Sequence, residues 1–425
     1  MTQLFPYIYT ADPAAHVFSD GRLWLYADRD PARPSDWWSA MCSYHAFSTE
    51  NLLDWIDHGA VLSCEDISWR DGAAWDGDCV EAHGKFYYFF PMIDQIGVAV
   101  ADRPQGPFHD ALGHPLVTRQ TPGVLPKAAN GGYLVSPVVV KSPQGIFLYF
   151  GQNEELYIVE LKPSMTELAG PVRMVNGFPH LYHEGPWVFY RNGLFHMIYG
   201  KGPIAEIGTE QSDDLAYATA PNPDGPFTFH NIVQGDNGRT VQACLVEWKD
   251  KDIFFYHEDG PDNYHRHLRA EIVDRPQDGS VGLIPRDCGP LVPRSTCLDA
   301  SGRHYAEDFH FAEGSVERLP WPEKNMGFVR MSGDGTVIGF NNIFATEDVR
   351  FLKIRMRSAT AAEGTLKILS CGKEISSVPC PSSAEWHEVL VSFPLSAGQR
   401  LSSLAFCTVG DIGGEMMDFR FTDGL

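Results

Sequence analysis

One frame recurs along this chain, and each copy reads as a β-hairpin. The stretches Asp12–Asp28 (DPAAHVFSDGRLWLYAD), Trp75–Pro91 (WDGDCVEAHGKFYYFFP), Ser136–Gly151 (SPVVVKSPQGIFLYFG) and Glu184–Gly200 (EGPWVFYRNGLFHMIYG) share it. Each starts on a polar residue or Trp, runs through small and apolar residues, turns at a Gly and ends in an aromatic strand. A fainter fifth copy, Val241–His257, has Asp250 at the Gly position. Two runs of Val, Phe, Tyr and Trp around a short Gly-containing turn are the mark of a hairpin. Second hairpins fall between the copies, at Ser43–Gly59, Ile96–Asp110 and Tyr217–His230. Two hairpins per copy give four strands. Five such units predict a five-bladed β-propeller over about residues 5 to 290. Helical periodicity is nearly absent.

Composition agrees with an all-β chain. The 425 residues include 40 Gly and 30 Pro, which punctuate strands and stop long helices. Hydrophobic residues make up 44%, enough for large cores, so global disorder is excluded. The formal net charge of −22 repels polyphosphate and argues against a nucleic-acid partner. No apolar stretch approaches the roughly 20 residues that span a bilayer, so no membrane partner is expected. The start, MTQLFPYIYTADPAAH, lacks a basic segment followed by an apolar core, so a cytoplasmic location is expected. Nine cysteines are an odd number and lack metal-finger spacing. Buried thiols in a reducing compartment are favoured over disulfides.

After about Arg294 the composition changes. Val349–Ala359, Gly364–Gly372, Glu385–Leu395 and Leu401–Gly410 read as short strands separated by Gly, Ser, Pro and Asn turns. The pattern divides the chain into a propeller at 1–294 and a β-sandwich at 295–425, with the linker near Pro290–Gly302.

A propeller gathers the starts of its innermost strands around one end of a central channel. The frame residues Asp12, Trp75, Ser136 and Glu184 are therefore expected to converge. Two of them are carboxylates, the minimum for glycoside hydrolysis: one acid protonates the leaving oxygen, and the other activates water or attacks carbon. A lone Asp-Pro or Glu-Gly-Pro is ordinarily a strand-entry turn, but equal placement in a repeat favours function. Trp75 suits a sugar-stacking platform or a core position equally. Trp37 and Trp38, in a polar loop after the first hairpin, could line a subsite. His45, His183 and His257 are cleft candidates, with His183 expected on the strand face opposite Glu184. The His265–Arg269 run lacks the regular carboxylate–histidine set of a metal site, and none is assigned.

These segments resemble the blade motifs of glycoside hydrolase family 43. The resemblance is carried by TADPAAHVFSDGRLWLYADRD, WDGDCVEAHGKFYYFFP and HEGPWVFYRNGLFHMIYG, and extends over about residues 5 to 290. It implies a five-bladed propeller that hydrolyses with inversion, releasing arabinose or xylose from plant-type oligo- or polysaccharides. It implies Asp12 as general base and Glu184 as general acid. Asp78 corresponds to the Asp of the family's W-A-P-D stretch, with Asp76 and Gly77 in place of Ala-Pro. The family's third blade carries an acid-modulating Asp where this chain has Ser136, and Asp76 is the nearest replacement. Gln242 stands where the fifth blade carries a His. The end of HEDGPDNYHRHLRAEI matches a stretch bearing a channel-facing Arg, which here is Arg269. The replacements at Ser136 and Gln242 keep two other functions open: a sugar-binding propeller without catalysis, and an inverting glycoside phosphorylase, which would need a basic phosphate pocket.

The segment Tyr305–Leu319 and the closing DFRFTDG resemble carbohydrate-binding modules of family 6. That resemblance implies a sugar-binding or buttressing sandwich, with Trp321 and Trp386 as aromatic candidates. Some such modules hold a structural calcium; no other cofactor is expected.

Overall fold

A computed structural model describes residues 3–32, 40–70, 73, 75–127, 131–177, 181–202, 213–235, 238, 240–260, 265–321, 326–358, 364–410 and 413–424. Trp37 and Trp38 lie outside the described residues. The chain is all-β, with a β-propeller arrangement and a further β-sheet domain. It separates into two compact units. One comprises Met1–Asp30, Met41–Tyr44 and Leu62–Val292; the other comprises Pro31–Ala40, His45–Val61 and Pro293–Leu425.

The first unit is a succession of antiparallel hairpin sheets. Thr10–Val17 pairs with Leu23–Arg29. A five-stranded sheet opens with Asp78–Ala82 and Lys85–Pro91. Four-stranded sheets follow, opening with Val138–Ser142 and with Trp187–Arg191. The last sheet has three strands, Ala243–Trp248, Lys251–Glu258 and His267–Asp274. The opening strands touch in cyclic order, each against the next, and Ala243–Trp248 returns to Thr10–Val17. The chain start fastens onto the third strand of the last sheet. Leu4 N–H donates to the Leu268 carbonyl (2.8 Å) and Thr10 N–H to the Arg266 carbonyl (3.0 Å).

The turns follow from the residues in them. His83-Gly84 and Asn192-Gly193 are two-residue loops, and all four residues have positive φ (53°, 70°, 51° and 82°). That is the backbone of a type I′ turn, whose twist matches the flanking strands. Between sheets the core is aliphatic and aromatic: Val80, Phe89 and Val98 of one sheet pack with Val139, Leu148 and Val159 of the next.

In the second unit, Ser295–Tyr305 pairs in parallel with Met326–Phe344 and antiparallel with Gly413–Thr422. Val349–Ser358 alternates between buried and partly exposed residues, with Leu352, Ile354 and Met356 in the core, as a sheet with one covered face requires. The hairpin strands Ser43–Thr49 and Asp54–Ser63 form where the repeat predicts them. Most of that hairpin nevertheless belongs to the second unit, where Asp54–Ser63 pairs in parallel with Ser295–Tyr305. His45 lies 3.8 Å from Asp57 in this unit.

No described helix is long and apolar enough to cross a membrane. None of the nine cysteines forms a disulfide.

Candidate active site

Asp12 sits at a β-bulge. The register of the first hairpin slips between Ala11 and Ala14, and Asp12 has φ 54° immediately before Pro13. A left-handed non-Gly residue costs roughly 1–2 kcal/mol, so the surroundings must hold it. They do so from two sides. Its N–H donates to His257 Nδ1 (3.1 Å), while His257 Nε2–H donates to the Thr240 carbonyl (2.7 Å), which fixes the imidazole tautomer. Its carboxylate accepts from Arg266 Nη1 (3.0 Å). Arg266 is fully buried and also donates to both oxygens of Asp30 (2.8 and 3.0 Å), with Asp28 at 3.7 Å. Burial alone would raise the Asp12 pKa, but the Arg266 charge and hydrogen bonding hold it below the ordinary value.

Glu184 stands just ahead of the strand Trp187–Arg191, between Leu181 (φ 77°) and Gly185 (φ 61°). A Cβ at Gly185 would come within 2.5 Å of the Val241 carbonyl and 3.1 Å of Gln242 Cβ, so glycine lets this turn lie against Gln242. Gln152 Nε2 donates to Glu184 Oε2 (2.7 Å), and Gln152 Oε1 accepts from Tyr133 N–H (3.2 Å). The backbone bond therefore sets which end of the amide faces Glu184. His183 Nδ1 bonds Asp213, and His183 Nε2 lies 4.0 Å from Glu184 Oε2. The expectation that His183 points away from Glu184 fails because strand alternation does not apply: both residues precede the strand, in a stretch with left-handed backbone. Burial pushes the Glu184 pKa up, the His183 charge pulls it down, and Asp12 pushes it up; the net direction is upward. His183 is raised to about 9 despite burial, because Glu184 and Asp213 favour its cation.

A third carboxylate completes the group. Ser136, with φ 54° before Pro137, donates its N–H to Asp76 Oδ1 (3.0 Å) and its hydroxyl to Asp76 Oδ2. Gly185 N–H in turn donates to Ser136 Oγ (3.2 Å). One chain of hydrogen bonds thus joins the Glu184 turn to Asp76 through Ser136. Burial and the charges of Asp12 and Glu184 raise Asp76 to about 8, against the lowering effect of Ser136.

The shared frame is corrected by one residue. Asp76, Ser136, Gly185 and Gln242 each lie six residues before the last residue of their hairpin's first strand: Ala82, Ser142, Arg191 and Trp248. Counting from the turn glycine matches Trp75 and Glu184 to Ser136 instead. The offset arises because Gly84 and Gly193 lie inside their two-residue turns, whereas Gly145 follows the Pro143-Gln144 turn. Trp75 is half-buried, with its ring edge-on to Tyr133 at 5.7 Å, and Lys127 Nζ lies 3.2 Å from the Tyr133 ring centroid.

Two sequence candidates have other partners. Asp78 is buried, with one oxygen on His16 Nε2 (2.6 Å) and the other accepting Val139 N–H (2.8 Å), so it ties three sheets together. Arg269 bonds Glu258 and Asp287 and packs against Tyr256; the arginine on Asp12 is Arg266. Sequence reasoning missed Arg266, Asp28, Asp30, Gln152 and Asp213. The acidic pair carried a signal, since hairpin pairing sets Asp28 opposite Ala11, the neighbour of Asp12.

Calcium is a poor fit. Among the described residues no three His, Cys, Asp or Glu side chains gather around a common point that could hold a metal. In the second unit, Asp418 is held by Arg303 and Arg355, Glu415 by Arg330 and Arg357, and Asp299 by His58.

The chain is similar to several known proteins. A xylosidase/arabinosidase of Bacteroides ovatus is 31% identical over 66% of this chain and 95% of its own length. An arabinoxylan arabinofuranohydrolase of Bacillus subtilis (strain 168) is 26% identical over 97% of this chain and 90% of its own length. Among solved structures, an α-L-arabinofuranosidase of Clostridium thermocellum superposes with a TM-score of 0.56 at 26% identity, covering 68% of this chain and 97% of that one. A Bacillus subtilis arabinoxylan arabinofuranohydrolase in complex with cellotetraose covers 99% of this chain and 97% of that one, with a TM-score of 0.57 at 21% identity. The family profile described as glycosyl hydrolases family 43 matches residues 34–281, more than half of the chain, and the protein belongs to that family of glycoside hydrolases.

Proposed function

We propose that the protein is an inverting glycosidase that releases arabinose or xylose from plant-type oligo- or polysaccharides. The observation that carries this reading is the opposite displacement of two carboxyl groups: Asp12 is held toward its anion and Glu184 toward its acid. Pairs whose surroundings drive their pKa values apart are the signature of an acid and a base. Glu184 protonates the departing glycosidic oxygen. Asp12 takes a proton from water as that water attacks the anomeric carbon from the opposite face, which inverts the configuration.

Asp76 takes the place of the acid-modulating carboxyl group, with Ser136 as its holder; it keeps its proton at neutral pH and acts on the Glu184 turn through the Ser136 hydrogen bonds. The buried Asp76 supports catalysis over a purely binding role. Arg266 is already surrounded by Asp12, Asp28 and Asp30, which favours water over phosphate as the acceptor. The names of the relatives support the pentose choice, and Trp75 with Tyr133 offers aromatic surface for a sugar ring. The cyclic contact order of the opening strands supports a five-bladed propeller over residues 1–294. The half-buried Trp321 and Trp386, 5.7 Å apart, are the sugar-facing candidates of a binding-module-like sandwich at 295–425.

The test is hydrolysis of chromogenic β-xylosides and α-L-arabinofuranosides, followed by proton NMR of the first-formed sugar. Inversion predicts the opposite anomer from the substrate; the same anomer would overturn the mechanism. No pentoside hydrolysis by the wild type, with Glu184→Gln as blank, would overturn the substrate class.

A further inference from the structure

Asp28 is fully buried, and among the described residues neither of its carboxyl oxygens meets an N–H or O–H donor. An ionised carboxylate in that state would bear its full desolvation cost. The nearest cation, Arg266, stands 3.7 Å away and gives its closer bonds to Asp30 and Asp12. The groups facing Asp28 are Asp12, Asp30, Arg266 and the phenols of Tyr44 and Tyr88. Three carboxyl groups thus surround one guanidinium, an excess of negative charge with no further cation among them.

The neighbour that remains for Asp28 is Asp12: strand pairing sets Asp28 opposite Ala11, next to Asp12, and the two carboxyl groups share the Arg266 guanidinium, at 3.7 and 3.0 Å. Two carboxylates meet in that way only when a proton lies between them. Arg266 and the backbone-anchored bulge favour the anion at Asp12, so the proton resides on Asp28.

We propose that Asp28 is a protonated positioning residue whose O–H donates to Asp12, fixing the orientation of that carboxylate and keeping it ionised for water activation. The inference rests on Asp12 as the base. Burial and the adjacent Asp12 charge push Asp28 well above the ordinary carboxyl range, in keeping with this geometry. The site asks for one donor of carboxyl size. Asparagine offers that donor and leucine does not.

The experiment is the pH profile of kcat/KM on a chromogenic pentoside, for wild type, Asp28→Asn and Asp28→Leu. Its acidic limb reports ionisation of the base in the free enzyme. Asp28→Leu removes a donor to a carboxylate, so the limb moves to higher pH and kcat/KM on the acidic flank falls about tenfold. Asp28→Asn restores the donor and returns most of the loss. If Asp28 is instead ionised, both substitutions remove a neighbouring negative charge and both limbs move to lower pH, which overturns the proposal. Unmoved limbs overturn it too.

A second readout needs neither turnover nor the leucine variant. The infrared difference between wild type and Asp28→Asn at neutral pH should contain the carbonyl stretch of one protonated carboxylic acid, and its absence overturns the proposal. If Asp12→Asn keeps full activity while that band persists, the assignment of the base has failed and the protonated Asp28 has not.

Discussion

Ser136 gives both its backbone N–H and its hydroxyl to the carboxyl group of Asp76, and the same hydroxyl oxygen receives the N–H of Gly185 beside Glu184. A serine on one sheet thereby positions a carboxyl group from the preceding sheet. Moving an acidic residue from one position to the other keeps a carboxyl group at the site while changing which strand carries it. Substitution of Asp76 by Ala should lower kcat by about 10²–10³, the scale of a preorganised electrostatic contribution. The double change Asp76→Ala with Ser136→Asp should recover part of that loss. Steady-state kinetics on a chromogenic pentoside decide it: a single Asp76→Ala variant as active as wild type would show that the third carboxylate is not needed.

Asp76 also makes stability pH-dependent. Its folded pKa of about 8 lies above the ordinary 3.8, so between these values the folded chain holds a proton that the unfolded chain has released. Stability therefore falls as pH rises through that window. Asp76→Asn cannot ionise and should lose this decline. Expected is a Tm difference, variant minus wild type, that grows from pH 4 to pH 8. Calorimetric scans across that range giving a constant difference would contradict the buried, proton-holding Asp76.

What could be read from the sequence was what the repeat makes redundant. The strands, their turns and the convergence of Asp12 with Glu184 follow from several hairpins aligned together. The rest depended on offsets of one to three residues. Asp76 rather than Trp75 matches Ser136, because a turn glycine can lie inside or just after a two-residue loop. Arg266 rather than Arg269 meets Asp12, three residues apart on one chain. Hydrophobic periodicity fixes which segments pair, but a left-handed residue such as Asp12, Ser136 or Gly185 re-aims a side chain without altering that periodicity. The second carboxyl group behind Asp12 had no periodic signature at all; only pairing of Asp28 with Ala11 brings it there.

Arg266 compensates the buried carboxylates of Asp12 and Asp30, so its removal should be costly for the fold as well as the chemistry. Truncating one partner of a buried ion pair typically costs about 3–5 kcal/mol, because the other charge is left without compensation. Arg266→Ala should destabilise by at least that amount. Arg266→Lys keeps the charge but loses the fork that serves Asp12 and Asp30 together, so it should retain more stability than activity. Chemical denaturation with parallel kinetics would show this split. Equal, small losses for both variants would mean that the carboxyl groups do not depend on the guanidinium.

The cation beside Glu184 should set the alkaline edge of activity. His183, bonded to Asp213 and raised to about 9, carries its charge across the neutral range and lowers the pKa of Glu184. His183→Gln removes that charge, so Glu184 holds its proton to higher pH and the alkaline limb of kcat/KM should move upward. Asp213→Asn withdraws the carboxylate that favours the imidazolium but also removes a negative charge that raises Glu184, so its two effects on the limb oppose each other and its shift should be the smaller. Gln152→Leu also moves the limb upward, because it deletes the donor to Glu184 Oε2, and it leaves Tyr133 N–H without its acceptor. His183→Gln and Gln152→Leu should therefore agree in sign. A leaving group that needs no protonation separates this effect from misfolding: with an activated aryl pentoside the limb should not move, while with a poor leaving group the His183 and Gln152 variants should keep their activity to higher pH than wild type. Deficits of equal size on both substrates would mean that these side chains shape the binding cleft and leave proton delivery by Glu184 untouched.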